Sequence, residues 1–286
     1  MNKISKNSYS LFKKAISGKK LFLTPGCQDP LSAKLIEKQK FNFVFIGGFA
    51  VSSSQYGFPD AGLITLTELV DSTRRIQQAT KLPCIVDADT GFGGIINIFR
   101  TVRDLAETGA AALIIEDQEF PKKCALTEKV KILNFKDSCE RIKAAVKASK
   151  ANNKRDIGII ARTDAFPVLG IKKTVERIKK FNSLGADAIF VTGIDTKKDL
   201  EQISKYKKFN LILNITQNVE FTIKDVRASG IKFAIYSQSI LNGYIDTTNK
   251  ILQTIKKENI PVSKNLSNDT LKLLDFDKIL TIEKNN

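Results

Sequence analysis

Glu107-Thr108-Gly109-Ala110-Ala111-Ala112-Leu113-Ile114-Ile115-Glu116-Asp117 contains one complete helix-to-strand junction. A helical stretch stops at Gly109, which can take the left-handed turn that ends a helix. The apolar run that follows has the length of a buried strand, and it closes on two carboxylates. The same texture recurs at Ser183-Leu184-Gly185-Ala186-Asp187 and Ala228-Ser229-Gly230-Ile231. Outward from these junctions, apolar runs of strand length stand at 21–24, 43–46, 84–87, 112–116, 158–161, 188–192, 211–215 and 233–236. Amphipathic helical spacing separates them at 66–79, 98–108, 135–148, 171–184, 197–205 and 222–228, with Thr65 or Thr67 placed to cap the first. Eight strands alternating with helices predict parallel βα units, and hence an α/β fold of the (β/α)8 TIM barrel type with extra C-terminal helices. A doubly wound open sheet is the competitor, but no GxGxxG follows the first strand. The whole of 1–286 reads as a single barrel domain, with its core at about 20–245 and a helical tail at 246–286.

Composition narrows the chemistry. The 286 residues include no histidine, which removes Ser-His-Asp catalysis, histidine-ligated zinc and histidine general bases together. The net charge is +16, but only nine of the 46 basic residues are Arg, and the lysines are scattered without interleaved aromatics. Solvated helix faces explain them better than a nucleic-acid surface, and a positive field helps collect a small anionic substrate. No apolar run is long enough to span a membrane, and the N-terminal segment lacks a signal sequence. Four cysteines without CxxC spacing read as free thiols. The expectation is a cytoplasmic protein that binds neither nucleic acid nor membrane.

Asp87 and Asp89 end the third strand and Glu116 and Asp117 the fourth, with Arg162 and Asp164 after the fifth. Carboxylates at buried strand ends are costly unless they hold a cation or meet a partner. Collected at one barrel mouth with Gly26, Asp29, Gly47, Gly48, Thr192, Asn214, Thr216 and Ser237 or Ser239, they describe a site for a hard cation. Arg162 offers a fork for a carboxylate or enolate oxygen. Gly47 and Gly48 form either a tight turn or a backbone approach to an anion. The charged, Pro-containing stretch 118–129 has the character of a mobile lid, and Lys122 and Lys123 next to Cys124 favour its thiolate.

These residues resemble the isocitrate lyase/phosphoenolpyruvate mutase superfamily, in particular its short branch containing 2-methylisocitrate lyase and carboxyphosphonoenolpyruvate phosphonomutase. The resemblance rests on six segments in one order over about residues 20 to 245. They are Pro25-Gly26 through Leu35; Gly57-Phe58-Pro59-Asp60; Asp87-Ala88-Asp89-Thr90-Gly91-Phe92-Gly93; Glu116-Asp117-Gln118 with Pro121-Lys122-Lys123-Cys124; Ala161-Arg162-Thr163-Asp164-Ala165; and Asn214-Ile215-Thr216. It implies a Mg2+-dependent barrel, with Mn2+ as the alternative ion, assembled as a homotetramer with swapped C-terminal helices. By position, Asp87 would ligate the metal directly, and Asp60, Asp89 and Glu116 would support it, mostly through water. Arg162 and Cys124 would be catalytic, Cys124 as the lid acid. Gly47, Gly48, Lys123, Arg162, Asn214 and Thr216 would bind a small anionic carboxylate.

The chain departs from that pattern at Gln28, Gly47, Ala125-Leu126, Thr192, Asn242 and a short loop after Thr216. All of these concern the part of the site that holds the rest of the substrate. The expected function is therefore a Mg2+-dependent lyase cleaving a C–C bond of a small 2-hydroxy or 2-oxo dicarboxylate, with methylisocitrate itself disfavoured. A phosphonomutase, phosphonopyruvate hydrolase or oxaloacetate decarboxylase is the rival within the superfamily. A catalytically degenerate barrel acting as a binding protein is the rival outside it.

Overall fold

A computed structural model describes residues 8–123, 130–151, 156–260 and 267–284. Eight parallel strands close into a barrel in strict sequence order, with β1 paired to β8. The strands are β1 Phe22–Cys27, β2 Val44–Ile46, β3 Cys84–Asp87, β4 Ala112–Glu116, β5 Gly158–Thr163, β6 Ala188–Val191, β7 Leu211–Asn214 and β8 Phe233–Tyr236. Around them run α1 Ser8–Ser17, α2 Pro30–Lys38, α3 Gly48–Tyr56, α4 Leu66–Ala79, α5 Ile95–Glu107 and α6 Phe135–Ala148. The series continues with α7 Ala165–Ser183, α8 Lys197–Ser204 and α9 Ile223–Ser229. Contacts divide the chain into two compact units, Met1–Leu241 and Asn242–Asn286. The boundary falls inside α10 Ser239–Lys256, and the second unit also carries α11 Ser267–Leu273 and α12 Phe276–Lys284. Among the described residues no helix is long and apolar enough to cross a membrane.

Every strand proposed from the apolar runs is present, with ends shifted by up to three residues, and α4 and α6 match their expected spans. Thr65, not Thr67, caps α4, in a box with Glu68. The periodicity reading omits α1, α2 and α3. The last two follow the mouth-side ends of β1 and β2, and their packing faces are too short to announce a period. The expected helix at 171–184 also begins earlier, at Ala165. A break at Gly170 (φ 74°, ψ 176°) divides α7 into the predicted part and a short leading segment.

Alternation along each strand sorts side chains between the barrel interior and the helix layer. On β4, Ala112 and Ile114 join the interior cluster, whereas Leu113 and Ile115 pack outward with the helices. The end where the strands begin is plugged by aromatics. Phe233 packs 5.0 Å from Phe43, 5.3 Å from Phe22 and 5.8 Å from Phe12, measured between ring centroids. Phe12 comes from α1, whose apolar face thereby closes the floor of the barrel. Gly158, opening β5, makes room for it: a Cβ there would stand 2.6 Å from Phe12 Cε1.

This interlock gives a coupled prediction. Phe12→Ala should cost about 3–5 kcal/mol in urea unfolding, and Gly158→Ala about 1–3 kcal/mol through overpacking. In the double variant the Gly158→Ala penalty should shrink toward zero, because the clashing ring is gone. Additive losses would place the strain elsewhere.

Candidate active site

The alternation that fills the interior delivers one residue per strand to the opposite end. Continuing the interior sequence of each strand past its last apolar residue gives Gly47, Asp87, Glu116, Arg162, Thr192, Asn214 and Ser237 for β2 to β8. Glu116 pairs with Arg162 in the β4–β5 register. The mouth is thus acidic at β3–β4, cationic at β5 and neutral at β6–β8.

Arg162 organises the acidic sector. Its Nε lies 2.9 Å and its Nη2 3.0 Å from the two oxygens of Asp164, a two-pronged contact. Its Nη1 is 3.1 Å from Glu116 and 3.4 Å from Asp87, and its guanidinium lies over the Phe190 ring. Burial would lower the Arg162 pKa, but Asp164, Glu116 and Asp87 outweigh it and hold the cation firmly charged. Burial likewise pushes Asp164 up, and Arg162, Thr192 and Gln118 overcome that to keep it below its ordinary value. Lys122 is the second internal cation, with Nζ 2.5 Å from both Asp60 and Asp89. Asp60 arrives on the loop after α3, where the Ser52 hydroxyl donates to the carbonyls of Phe58 and Pro59. Asp89 sits in a left-handed turn (φ 49°), and its N–H donates to Asp87 Oδ1. A Cβ on Gly48 would meet Asp89 Oδ1 at 2.9 Å, so a side chain there would have to displace the Asp89 carboxylate.

Five carboxylates (Asp60, Asp87, Asp89, Glu116, Asp164) thus face two cations, Lys122 and Arg162. The imbalance shows in proton affinity. Burial raises Asp89 to about 6 against the pull of Lys122, with Asp87 and Asp60 adding to the rise. Burial also lifts Glu116 well above the carboxylate range despite Arg162 and Lys122. Glu116 Oε1 is buried with no hydrogen-bond partner. Excess negative charge and an orphaned acceptor are what a divalent cation would satisfy. Among the described residues no three acids or thiols converge as a direct cage. The set therefore fits an ion that takes one or two carboxylates and completes its shell with water or substrate oxygens, as Mg2+ does.

Asp117 does not belong to this mouth, although the sequence reading groups it with Glu116. As the next residue on the strand it faces outward. There it accepts from Thr163 Oγ1 at 2.7 Å, the Asp164 N–H at 3.0 Å and Arg177 Nε at 2.9 Å. This outer pair holds the turn that presents Asp164. Arg141 supports the end of β4 in the same way, its Nη1 donating to the carbonyls of Glu116 and Gln118. Asp29 is likewise the N-cap of α2, accepting from the Ser32 N–H.

A cavity of about 190 Å³ opens beside the acids. Gly47, Gly48, Asp60, Asp87, Arg162, Asn214 and Thr216 line it, among the residues singled out from sequence; Asp89 and Glu116 stand behind them. Its lining also includes Phe45 and Phe190 from the barrel interior, and Thr192, Asp195, Ser237 and Gln238 on the far side. The fork of Arg162 is engaged by Asp164, so what it turns toward Asp87 and Glu116 is its Nη1 edge. Lys123 is exposed and does not line the cavity; its neighbour Lys122 is the one drawn inside. The sequence signal for Lys122 was its partner-seeking context, one cation beside a surplus of acids, but adjacency left the two lysines indistinguishable. Cys124 lies outside the described residues.

A sequence profile described as Phosphoenolpyruvate phosphomutase matches residues 12–256. The 2-methylisocitrate lyase of Aeropyrum pernix is 35% identical over 251 residues, 87% of this chain and 80% of that protein. The 2,3-dimethylmalate lyase of Eubacterium barkeri is 30% identical over 281 residues, 97% of this chain and 96% of that protein. Among solved structures, phosphonopyruvate hydrolase in complex with oxalate and Mg2+ shares the fold with a TM-score of 0.84 at 24% identity. That match covers 97% of this chain and 98% of the other.

The outer pair is testable apart from any activity. Arg177→Met strands a buried carboxylate and should cost about 3–5 kcal/mol in chemical unfolding. Adding Asp117→Asn should recover part of that loss. A double variant no better than the single would mean Arg177 acts through packing on Phe135 instead.

Proposed function

The chain belongs to the phosphoenolpyruvate phosphomutase family, within the isocitrate lyase/phosphoenolpyruvate mutase superfamily, and from that premise we propose that it is a Mg2+-dependent lyase. Its reaction is cleavage of a C–C bond in a small 2-hydroxy or 2-oxo dicarboxylate. The observation that carries the reading is the surplus of buried carboxylates around Arg162 and Lys122, beside a cavity of small-molecule size. Asp87 is the direct ligand in this proposal, with Asp60, Asp89 and Glu116 behind it; Mn2+ is the alternative ion. Bound there, the ion supplies Lewis-acid polarisation of the substrate's oxygens.

The chain's own groups do the rest. Gly47 and Gly48 begin α3 with no side-chain cap, so their backbone N–H groups are available to a substrate carboxylate at the cavity wall. Arg162, held rigid by Asp164, presents positive charge to the hydroxyl oxygen as it loses its proton and becomes the carbonyl oxygen of the oxo-acid product. Asn214 and Thr216 hydrogen-bond the remaining part of the substrate. The substrate hydroxyl gives its proton to a carboxylate of the mouth and its oxygen becomes the carbonyl of the oxo acid, so that when the adjacent C–C bond breaks its electron pair stays on the departing carbon. Cys124 donates the proton that quenches it.

We place the protein in the cytoplasm, in keeping with the unpaired thiols Cys27, Cys84 and Cys139, as a homotetramer joined through its C-terminal helices. In the second unit, Tyr244, Leu252 and Ile255 of α10 are more than half exposed, and α12 has no buried residue, so these helices present apolar faces for another copy to cover.

A panel of 2-hydroxy dicarboxylates assayed for 2-oxo acid release should reveal a substrate whose turnover requires Mg2+ and stops with chelator. No C–C cleavage on any member would sink the assignment. Asp87→Ala should lower kcat/KM on the order of 10³-fold and abolish Mg2+-dependent thermal stabilisation, which is about 2.7 kcal/mol at 100 times the Kd in the wild type. Burial raises Asp89 to about 6 and lifts Glu116 well above the carboxylate range, so bound protons compete with the cation as pH falls. Mg2+ affinity measured by calorimetry should therefore fall as pH is lowered from 8 through 6, without a plateau before 7.

A further inference from the structure

Both cations of the mouth trace back to one buried amide. Gln118 lies two residues past the end of β4 and is 1% exposed. Its Nε2 donates to Asp164 Oδ2 at 2.5 Å and to Glu116 Oε2 at 3.4 Å, and its Oε1 accepts from the Lys123 N–H at 3.1 Å. The contacts fix the orientation, because a flipped amide would set an oxygen against two carboxylates and an NH2 group against an N–H. Asp164 is the residue that fixes the Arg162 guanidinium. The Lys123 N–H belongs to the peptide that follows Lys122, whose Nζ holds Asp60 and Asp89. One side chain thus reaches from the support of Arg162 to the backbone that delivers Lys122.

The backbone around Gln118 is held by other groups. The Gln118 carbonyl accepts from Arg141 Nη1 at 2.7 Å, and Gln118 forms an antiparallel bridge with Ile132 on the returning chain. The Glu119 N–H donates to the Lys131 carbonyl at 2.8 Å, and the Leu133 N–H to the Asp117 carbonyl at 2.9 Å. These bonds build the stem of the loop without the Gln118 side chain, which leaves the amide to a separate task. We propose that Gln118 is a positioning residue: through Asp164 and the Lys123 N–H it couples the setting of Arg162 to the position of segment 119–123, so that occupancy of the mouth tightens that segment. With Asp87 turned to a cation and Arg162 to a carboxylate, Asp164 becomes the main fixed point of the guanidinium, and Gln118 is anchored more firmly with it. The inference rests on the reading of the cavity as a Mg2+-dependent carboxylate site, and it assigns what that reading leaves open, the link between the site and its covering segment.

The test follows amide hydrogen exchange at Glu119, Lys123 and Leu133 in the wild type, Gln118→Met and Gln118→Asn, without ligand and with saturating Mg2+ and oxalate. Ligand should slow Lys123 exchange about 3- to 10-fold in the wild type. Gln118→Met keeps the length of the side chain and removes its bonds. Lys123 should exchange about tenfold faster in that variant without ligand, while Glu119 and Leu133 stay within about twofold of the wild type. Added ligand should then slow Lys123 by less than about twofold, and by reciprocity the oxalate affinity in Mg2+, read by calorimetry, should fall about 3- to 10-fold. Gln118→Asn keeps the amide but is one methylene too short to span, so it should behave alike, and it carries the test if Gln118→Met does not fold. Faster exchange at all three amides together would make Gln118 a structural residue only and overturn the proposal. Ligand protection of Lys123 that survives in the variants, or an unchanged oxalate affinity, would overturn it too. Absence of Mg2+-dependent oxalate binding in the wild type would instead overturn the underlying reading of the cavity, and the coupling with it.

Discussion

Everything at the mouth depends on how Arg162 distributes one positive charge. Its two-pronged contact to Asp164 fixes the plane of the guanidinium and leaves Nη1 between Asp87 and Glu116. Without it, five acids would face one lysine, and burial at this density would protonate them or open the barrel. The arrangement is only partly neutralised even so, as the raised proton affinities of Asp89 and Glu116 record. A protein keeps an unfavourable charge surplus in its interior when a ligand will complete it. In the proposed Mg2+-dependent reading, the free energy stored at the strand ends is recovered when the cation binds.

The two ends of the barrel divide the work. Where the strands begin, Phe12, Phe22, Phe43 and Phe233 form an aromatic plug. Where they end, the same alternation places Asp87, Glu116 and Arg162 in the corresponding inward positions. Apolar burial at one end offsets the charge surplus at the other, and the closed ring of parallel strands carries the load between them. The outer pair of Asp117 and Arg177 works between these ends, holding the Thr163–Asp164 turn from the helix side.

The strand rhythm made the barrel legible because each buried parallel strand must be a short apolar run bounded by turn residues, and nothing else in the chain has that texture. The acids were legible for a related reason: a charge at the end of such a run demands an explanation. Two neighbouring pairs mark where this reasoning stops. Glu116 and Asp117 are consecutive on a strand, so they must face opposite ways, and composition alone does not say which turns inward. Lys122 and Lys123 are likewise consecutive, one buried and one exposed, and composition alone does not say which. The phase is set by which apolar residues reach the interior, and Ile114 settles it for β4. The helices α2 and α3 were hidden because their packing faces are short, so no period emerges.

The metal-side and substrate-side halves of the mouth differ in how freely their residues can change. Asp60, Asp87, Asp89, Glu116, Asp164, Lys122 and Arg162 share partners, so replacing any one strands a charge on another, and the losses compound. Asn214, Thr216, Ser237 and Gln238 contribute neutral groups whose replacement disturbs little beyond themselves. Thr192 is the exception on that side: its hydroxyl donates to Asp164, which ties β6 to the charged network. A mouth built this way holds its chemistry fixed while its selectivity drifts. That division accounts for a sequence that keeps Asp60, Asp87, Asp89 and Glu116 of the family pattern and departs from it chiefly in the part of the site expected to hold the rest of the substrate.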